Sequence, residues 1–78
     1  MAGESVAMEL LLERSRQIDL GYTPEHDQEM GAVHVVYEAH QRLGHMGEVS
    51  SPEAFRAELI EAGALIVAAI EVLDSGAA

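Results

Sequence analysis

The sequence predicts an all-α chain of three antiparallel helices, completed by dimerisation. Three observations carry that expectation. The stretch 51–74, SPEAFRAELIEAGALIVAAIEVLD, opens on a helix start signal and keeps apolar residues at helical spacing to its end. Its middle, Ala62 to Ile70, has no polar side chain on any side, and a helix apolar all round is covered all round. Upstream, a second start signal at Thr23-Pro24 and a glycine-containing turn after Leu43 leave room for two more helices. Two helices do not surround a third, so a second copy is expected to finish the cover.

The first helix is read over residues 5–18, with Met8, Leu11, Leu12, Ser15 and Ile18 near one face as the first cover for the core. Glu9 and Glu13 stand four apart, and Arg14 and Arg16 lie toward the C-terminal end, where cations complement the helix dipole. These charges read as a solvated face. Gly21 ends the helix, Thr23 caps the next and Pro24 presets its first turn.

The second helix is read over 24–43. Glu25, His26, Asp27 and Glu29 fill its first turns, where negative charge suits a helix N-terminus. The same residues have metal-ligand chemistry, but neighbours on a helix diverge by about 100° and do not share one site. The apolar set is Met30, Val33, Val36, Tyr37, His40 and Leu43, with Gly31 a weak point where the helix can kink. His34 and Glu38 are four apart, so the carboxylate can orient the imidazole.

Gly44-His45-Met46-Gly47-Glu48-Val49 makes the turn, and either Ser50 or Ser51 caps the third helix, read over 51–74. Phe55, Leu59, Ala62, Gly63, Ile66, Ile70 and Leu73 form its core stripe, widened by Ile60, Ala64 and Val67. Small residues at 62–64 and 68–69 allow another helix to approach closely. The expected homodimer interface is Ala62, Gly63, Ile66, Val67 and Ile70. Ser75 to Ala78 is read as a helix stop.

Composition sets the bounds. At 78 residues the chain is a single domain, 1–78, and chains of this size bury only about 60 to 65% of their unfolded surface. There is no cysteine, so neither a disulfide nor a cysteine zinc site is available as a staple. Glu4 and Glu9 occupy the place of a basic leader segment, so no signal peptide is expected, and the uncharged run bracketed by Glu61 and Glu71 is too short to span a membrane. A cytoplasmic location follows as the expectation. The four basic residues are all arginine, against 14 acids, for a net charge of −10. That field repels nucleic-acid phosphates, which argues against direct nucleic-acid binding and suits a basic partner or divalent cations. Ser15, Ser50 and Ser51 lack the strand-turn-helix setting of a serine nucleophile.

Three segments carry a resemblance: Glu13-Arg14-Ser15-Arg16-Gln17, then Gly21-Tyr22-Thr23-Pro24-Glu25-His26-Asp27, then Phe55-Arg56-Ala57-Glu58-Leu59-Ile60-Glu61-Ala62-Gly63-Ala64-Leu65-Ile66. Together they resemble small bacteriophage-type proteins similar to degenerate members of the MazG-like all-α nucleotide pyrophosphohydrolases. The resemblance implies a magnesium site of two carboxylate pairs on facing helices, bridging nucleotide phosphates and activating water. Glu58-x-x-Glu61 matches the position of the second pair, with Glu61 where the family pattern has Asp. Where the first pair belongs, the preceding helix offers His34, Glu38 and His40. Glu71-x-x-Asp74 has similar spelling but lies roughly 20 Å along the same rod from Glu58.

The expected function is therefore that of an acidic phage-type binding protein, without a cofactor. It would inhibit a host defence complex in the bacterial cytoplasm, in the manner of anti-CRISPR proteins, its carboxylates mimicking nucleic-acid phosphates. The partner would be a host protein or protein–nucleic acid complex with a basic surface, and the binding residues Glu25, His26, Asp27, Glu29, His34 and Glu38. Two alternatives stand beside it. One is a magnesium-dependent nucleoside triphosphate pyrophosphohydrolase with Glu38, Glu58 and Glu61 on the metal; the other is a structural dimerisation module.

Overall fold

Local capping chemistry sets where the helices begin and end. The computed structural model describes residues 2–44 and 51–76, with side chains from residue 5 onward. Among these, α1 spans Ala2–Asp19, α2 Pro24–Met30, α3 Ala32–Leu43 and α4 Pro52–Asp74, with no strand. The first helix thus starts three residues before its expected position. It closes where Gly21, at φ +109°, lets the Tyr22 N–H reach the Gln17 carbonyl and its own N–H reach that of Ile18, each at 3.0 Å. Thr23 Oγ1 accepts from the His26 N–H at 3.1 Å, and Pro24 opens α2. Ser51 Oγ accepts from the Ala54 N–H at 3.1 Å, and Pro52 opens α4. The alternative cap Ser50 and the turn residues 45–49 lie outside the described residues, as do 77–78 of the expected tail.

One boundary differs in kind. The helix expected over 24–43 is broken in two by Gly31, whose φ of 91° and ψ of 153° are closed to residues with a side chain. The break serves both halves, since the Gly31 N–H closes α2 on the Asp27 carbonyl at 2.8 Å and its carbonyl accepts from the Val35 N–H at 3.2 Å. The second helix is thereby free to change direction. As α2 it lies beside Ala68, Glu71 and Val72 near the end of α4, while α3, with Arg42 at Glu61, packs along α4 more extensively than any other helix.

All three upstream helices pack on α4, as its apolar pattern requires, but through faces that match the expected ones only in part. On α4 the buried set is Ala62, Ala64, Leu65, Ala68, Ala69 and Val72, whereas Phe55, Leu59, Ile66, Ile70 and Leu73 are exposed. On α3 the buried residues are Ala32, Val35 and Ala39, and Leu43 packs against them from the edge. Val33, Val36, Tyr37 and His40 face outward, and so does Met30 of α2. On α1, Met8, Leu11 and Leu12 are exposed, and Arg14 and Gln17 take the buried positions. Alanine explains the exchange: a small side chain lets helix axes come together, so the closest crossings select Ala over Leu and Ile.

The expected homodimer interface divides accordingly. Ala62 is 2% exposed. A Cβ at Gly63 would lie 2.9 Å from Leu10 Cδ2, so Gly63 sits where α1 crosses α4 within one protomer. Val67 is half-buried, and only Ile66 and Ile70 of the five stand exposed. No helix among the described residues is long and apolar enough to cross a membrane.

Candidate functional site

A ridge of residues four apart, His26, Met30, His34 and Glu38, would line one side of an unbroken helix. The break at Gly31 folds that ridge into two walls. Between them, closed at one end by Leu20, Gly21 and Tyr22 from the α1–α2 turn, lies an open cleft of about 300 Å³. His26 and Met30 form the α2 wall because Thr23 and Pro24 start that helix in this register. The Tyr22 ring meets the His26 ring edge to face, with centroids 5.8 Å apart and planes at 84°. On the α3 wall, His34 Nε2 lies 3.0 Å from Glu38 Oε1, so that nitrogen donates to the carboxylate and the ring is held in one orientation.

Behind the α2 wall a buried ion pair fixes the cleft's position. Arg14 is 5% exposed and Asp27 2%. The Arg14 guanidinium donates to Asp27 Oδ2 at 2.7 Å, to the Tyr22 carbonyl at 2.9 Å and to Glu71 Oε1 at 3.1 Å. One arginine thus ties together α1, the turn, α2 and α4. The solvated face expected for Arg14 is corrected: it faces the core because a carboxylate and a turn carbonyl satisfy it there. Burial pushes the Asp27 carboxyl above its ordinary value, against the pull of Arg14.

Of the six expected binding residues, His26, His34 and Glu38 come together in the cleft. Glu25 and Glu29 stand exposed on the outer side of α2, and Asp27 points inward to Arg14. Leu20 and Tyr22 are lining residues to which the sequence reading gave no site role, and Met30 is one it placed in the apolar set. The available signal was the four-residue ladder 26, 30, 34, 38 with a glycine in its middle.

The three carboxylates of the expected metal site are held in different surroundings. Glu38 accepts from His34. Glu61 accepts from Arg42 Nη1 at 3.1 Å and lies 3.8 Å from Arg16 Nη2. Glu58 is half-buried. No group of three or more His, Asp or Glu side chains placed to hold a metal ion occurs among the described residues.

The charges show a pattern. Each of the four arginines is spent inside the protomer: Arg14 on Asp27 and Glu71, Arg16 on Glu13, Arg42 on Glu61, and Arg56 on Glu9 through both of its Nη groups. The Arg16 hydrogen bonds hold the Glu13 carboxyl below its ordinary value, and those of Arg56 do the same for Glu9. Asp19, Glu25, Glu29, Glu53 and Asp74 stand exposed, with no ion pair among the described residues. No protein-family model, curated protein or solved structure matches the chain.

Proposed function

We propose that the chain is a small acidic protein-binding module of phage type that inhibits a host defence complex in the bacterial cytoplasm. It would occupy a groove built for nucleic-acid phosphates, and it would work as a homodimer. The observation that supports this reading is the disposition of charge. With every arginine neutralised internally, the surplus acid of a chain of net charge −10 is left for solvent or for a basic partner. Glu25 and Glu29 flank the α2 wall of the cleft, and Asp19 precedes the Leu20–Gly21 turn that closes it.

The cleft suits a basic side chain of such a partner. Glu38 supplies a carboxylate beside His34, the Tyr22 ring offers a face to a guanidinium, and Leu20 and Met30 give apolar cover to its methylene stem. The magnesium reading, by contrast, would require Glu61 to give up Arg42 and Glu38 to give up His34.

Competition tests the proposal. The protein is titrated into nucleic-acid-binding defence effectors carrying a labelled duplex, beside the variant Asp19→Asn/Glu25→Gln/Glu29→Gln. Displacement by the parent, with a loss of about tenfold or more in the variant, is expected for charge-steered binding. A parent that displaces duplex from none of them, or a variant as potent as the parent, overturns it.

A further inference from the structure

The molecule measures 37 × 29 × 19 Å between Cα extremes, and its short dimension holds only two layers of helices at the usual packing distance of about 10 Å. α1 and α2 lie on one side of α4. At 100° per residue, Phe55, Leu59, Ile66, Ile70 and Leu73 fall within an arc of roughly 60°, turned about 100° or more from Ala64, Ala68 and Glu71 and flanked at one edge by Gly63, where α1 crosses. On α3, Val33, Val36 and Tyr37 fall within about 100° and point away from the cleft-facing His34 and Glu38. Both arcs are thus turned from the α1–α2 layer, on the two helices that pack together most extensively.

We infer that this α3–α4 face is the surface on which a second copy of the chain docks. The inference rests on the homodimer reading above and assigns that reading a surface different from the one around Ala62 and Gly63. Three observations choose a second copy as the occupant. First, the size fits. The eight side chains are between 40% and 85% exposed and present on the order of 700 Å² of surface, close to the ~800 Å² that each partner of a standard interface buries. The accessible surface of 5188 Å² also exceeds the roughly 4600 Å² of a typical folded monomer of this mass.

Second, the charge fits. No Asp, Glu or Arg lies in either arc of a chain carrying 18 such residues, 14 acidic and 4 basic. A basic partner has nothing to pair with there, whereas two acidic copies can meet on it with their charges held apart. Third, the core fits. Six of the nine buried apolar residues among those described are alanine, and eight of the fourteen exposed large apolar side chains lie on this outer face. Two copies related by a two-fold axis would place two α3–α4 pairs face to face, a four-helix core with α1 and α2 outside. His40 lies within the α3 arc beside Val36 and Tyr37, so the pairing would bring the His40 imidazole and the Tyr37 hydroxyl to the seam.

Sedimentation equilibrium on the full chain tests this, with Ile66→Asp/Ile70→Asp as the interface variant and Val33→Asp/Tyr37→Asp as the second. Circular dichroism confirms that each remains helical. The parent is expected at twice 8.4 kDa. Each variant is expected to dissociate with its helix content kept, its dissociation constant raised about a hundredfold or more. A parent at single-chain mass overturns the homodimer reading itself and leaves the face to an unlike partner. A paired parent with variants that stay equally paired overturns only the assigned surface.

Discussion

Arg14 illustrates how far a single buried charge can organise a small domain. Its three acceptors come from α2, the turn before it and α4, so the cleft's α2 wall stands where this guanidinium holds it. Removing Asp27 leaves that charge buried with only Tyr22 and Glu71 as partners. Asp27→Ala is expected to cost about 3 kcal/mol in urea unfolding, the lower end for a broken buried pair because two acceptors remain. The double variant Arg14→Met/Asp27→Leu should recover most of the loss, since burial already works against the Asp27 charge. A double variant as unstable as the single one would contradict this account of the pair. Glu13 behaves in the opposite sense. Its carboxyl is lowered by Arg16 and Gln17, so its contribution is fully present above the ordinary carboxylate range and is lost as pH falls through the lowered value. The stability gap between parent and Glu13→Gln should therefore close in acid; a gap independent of pH would count against the ion pair. Gln17 carries a less favourable feature, a buried Oε1 with no partner among the described residues.

At the scale of elements, the caps were legible and the faces were not. Thr23-Pro24 and Ser51-Pro52 act through their own backbone neighbours, so sequence alone placed the first and narrowed the second to Ser50 or Ser51. Which side of each helix turns inward depends on what it meets. Ranking by hydrophobicity put Ile66, Ile70 and Val36 inside, while close helix crossings selected Ala68, Ala69 and Ala39, with Ala62 and Ala64 buried as expected. Arg14 was hidden for the same reason, because its partner Asp27 is distant in sequence and brought near only by the turn. Gly31 was visible as a weak point, but its positive φ follows from the change of direction between α2 and α3. The glycines make opposite predictions. Gly31→Ala should cost about 1–3 kcal/mol, because its conformation excludes a side chain. Gly63→Ala should be close to neutral, since the clash is with the far end of Leu10 and the helix gains about 1 kcal/mol in propensity. Thermal melts of both variants decide this, and equal losses would contradict it.

The whole molecule separates two chemistries onto opposite sides. One side holds the cleft with His26, His34 and Glu38, and with Glu25 and Glu29 on the outer side of α2; the other is the uncharged α3–α4 face. Composition announced the excess of acid, yet the spending of all four arginines inside the protomer could be seen only in three dimensions. The two sides should answer salt differently, since screening weakens an acidic site for a basic ligand and relieves repulsion between like-charged copies. The most direct test of the acidic binding site is a nuclear magnetic resonance titration of the isotope-labelled protein with a short arginine-rich peptide. The account predicts shifts concentrated in Leu20–Glu29 and at His34 and Glu38, fading as salt is raised, with Ile66 and Ile70 unmoved. Shifts confined to the α3–α4 face, or none at any residue, would contradict it.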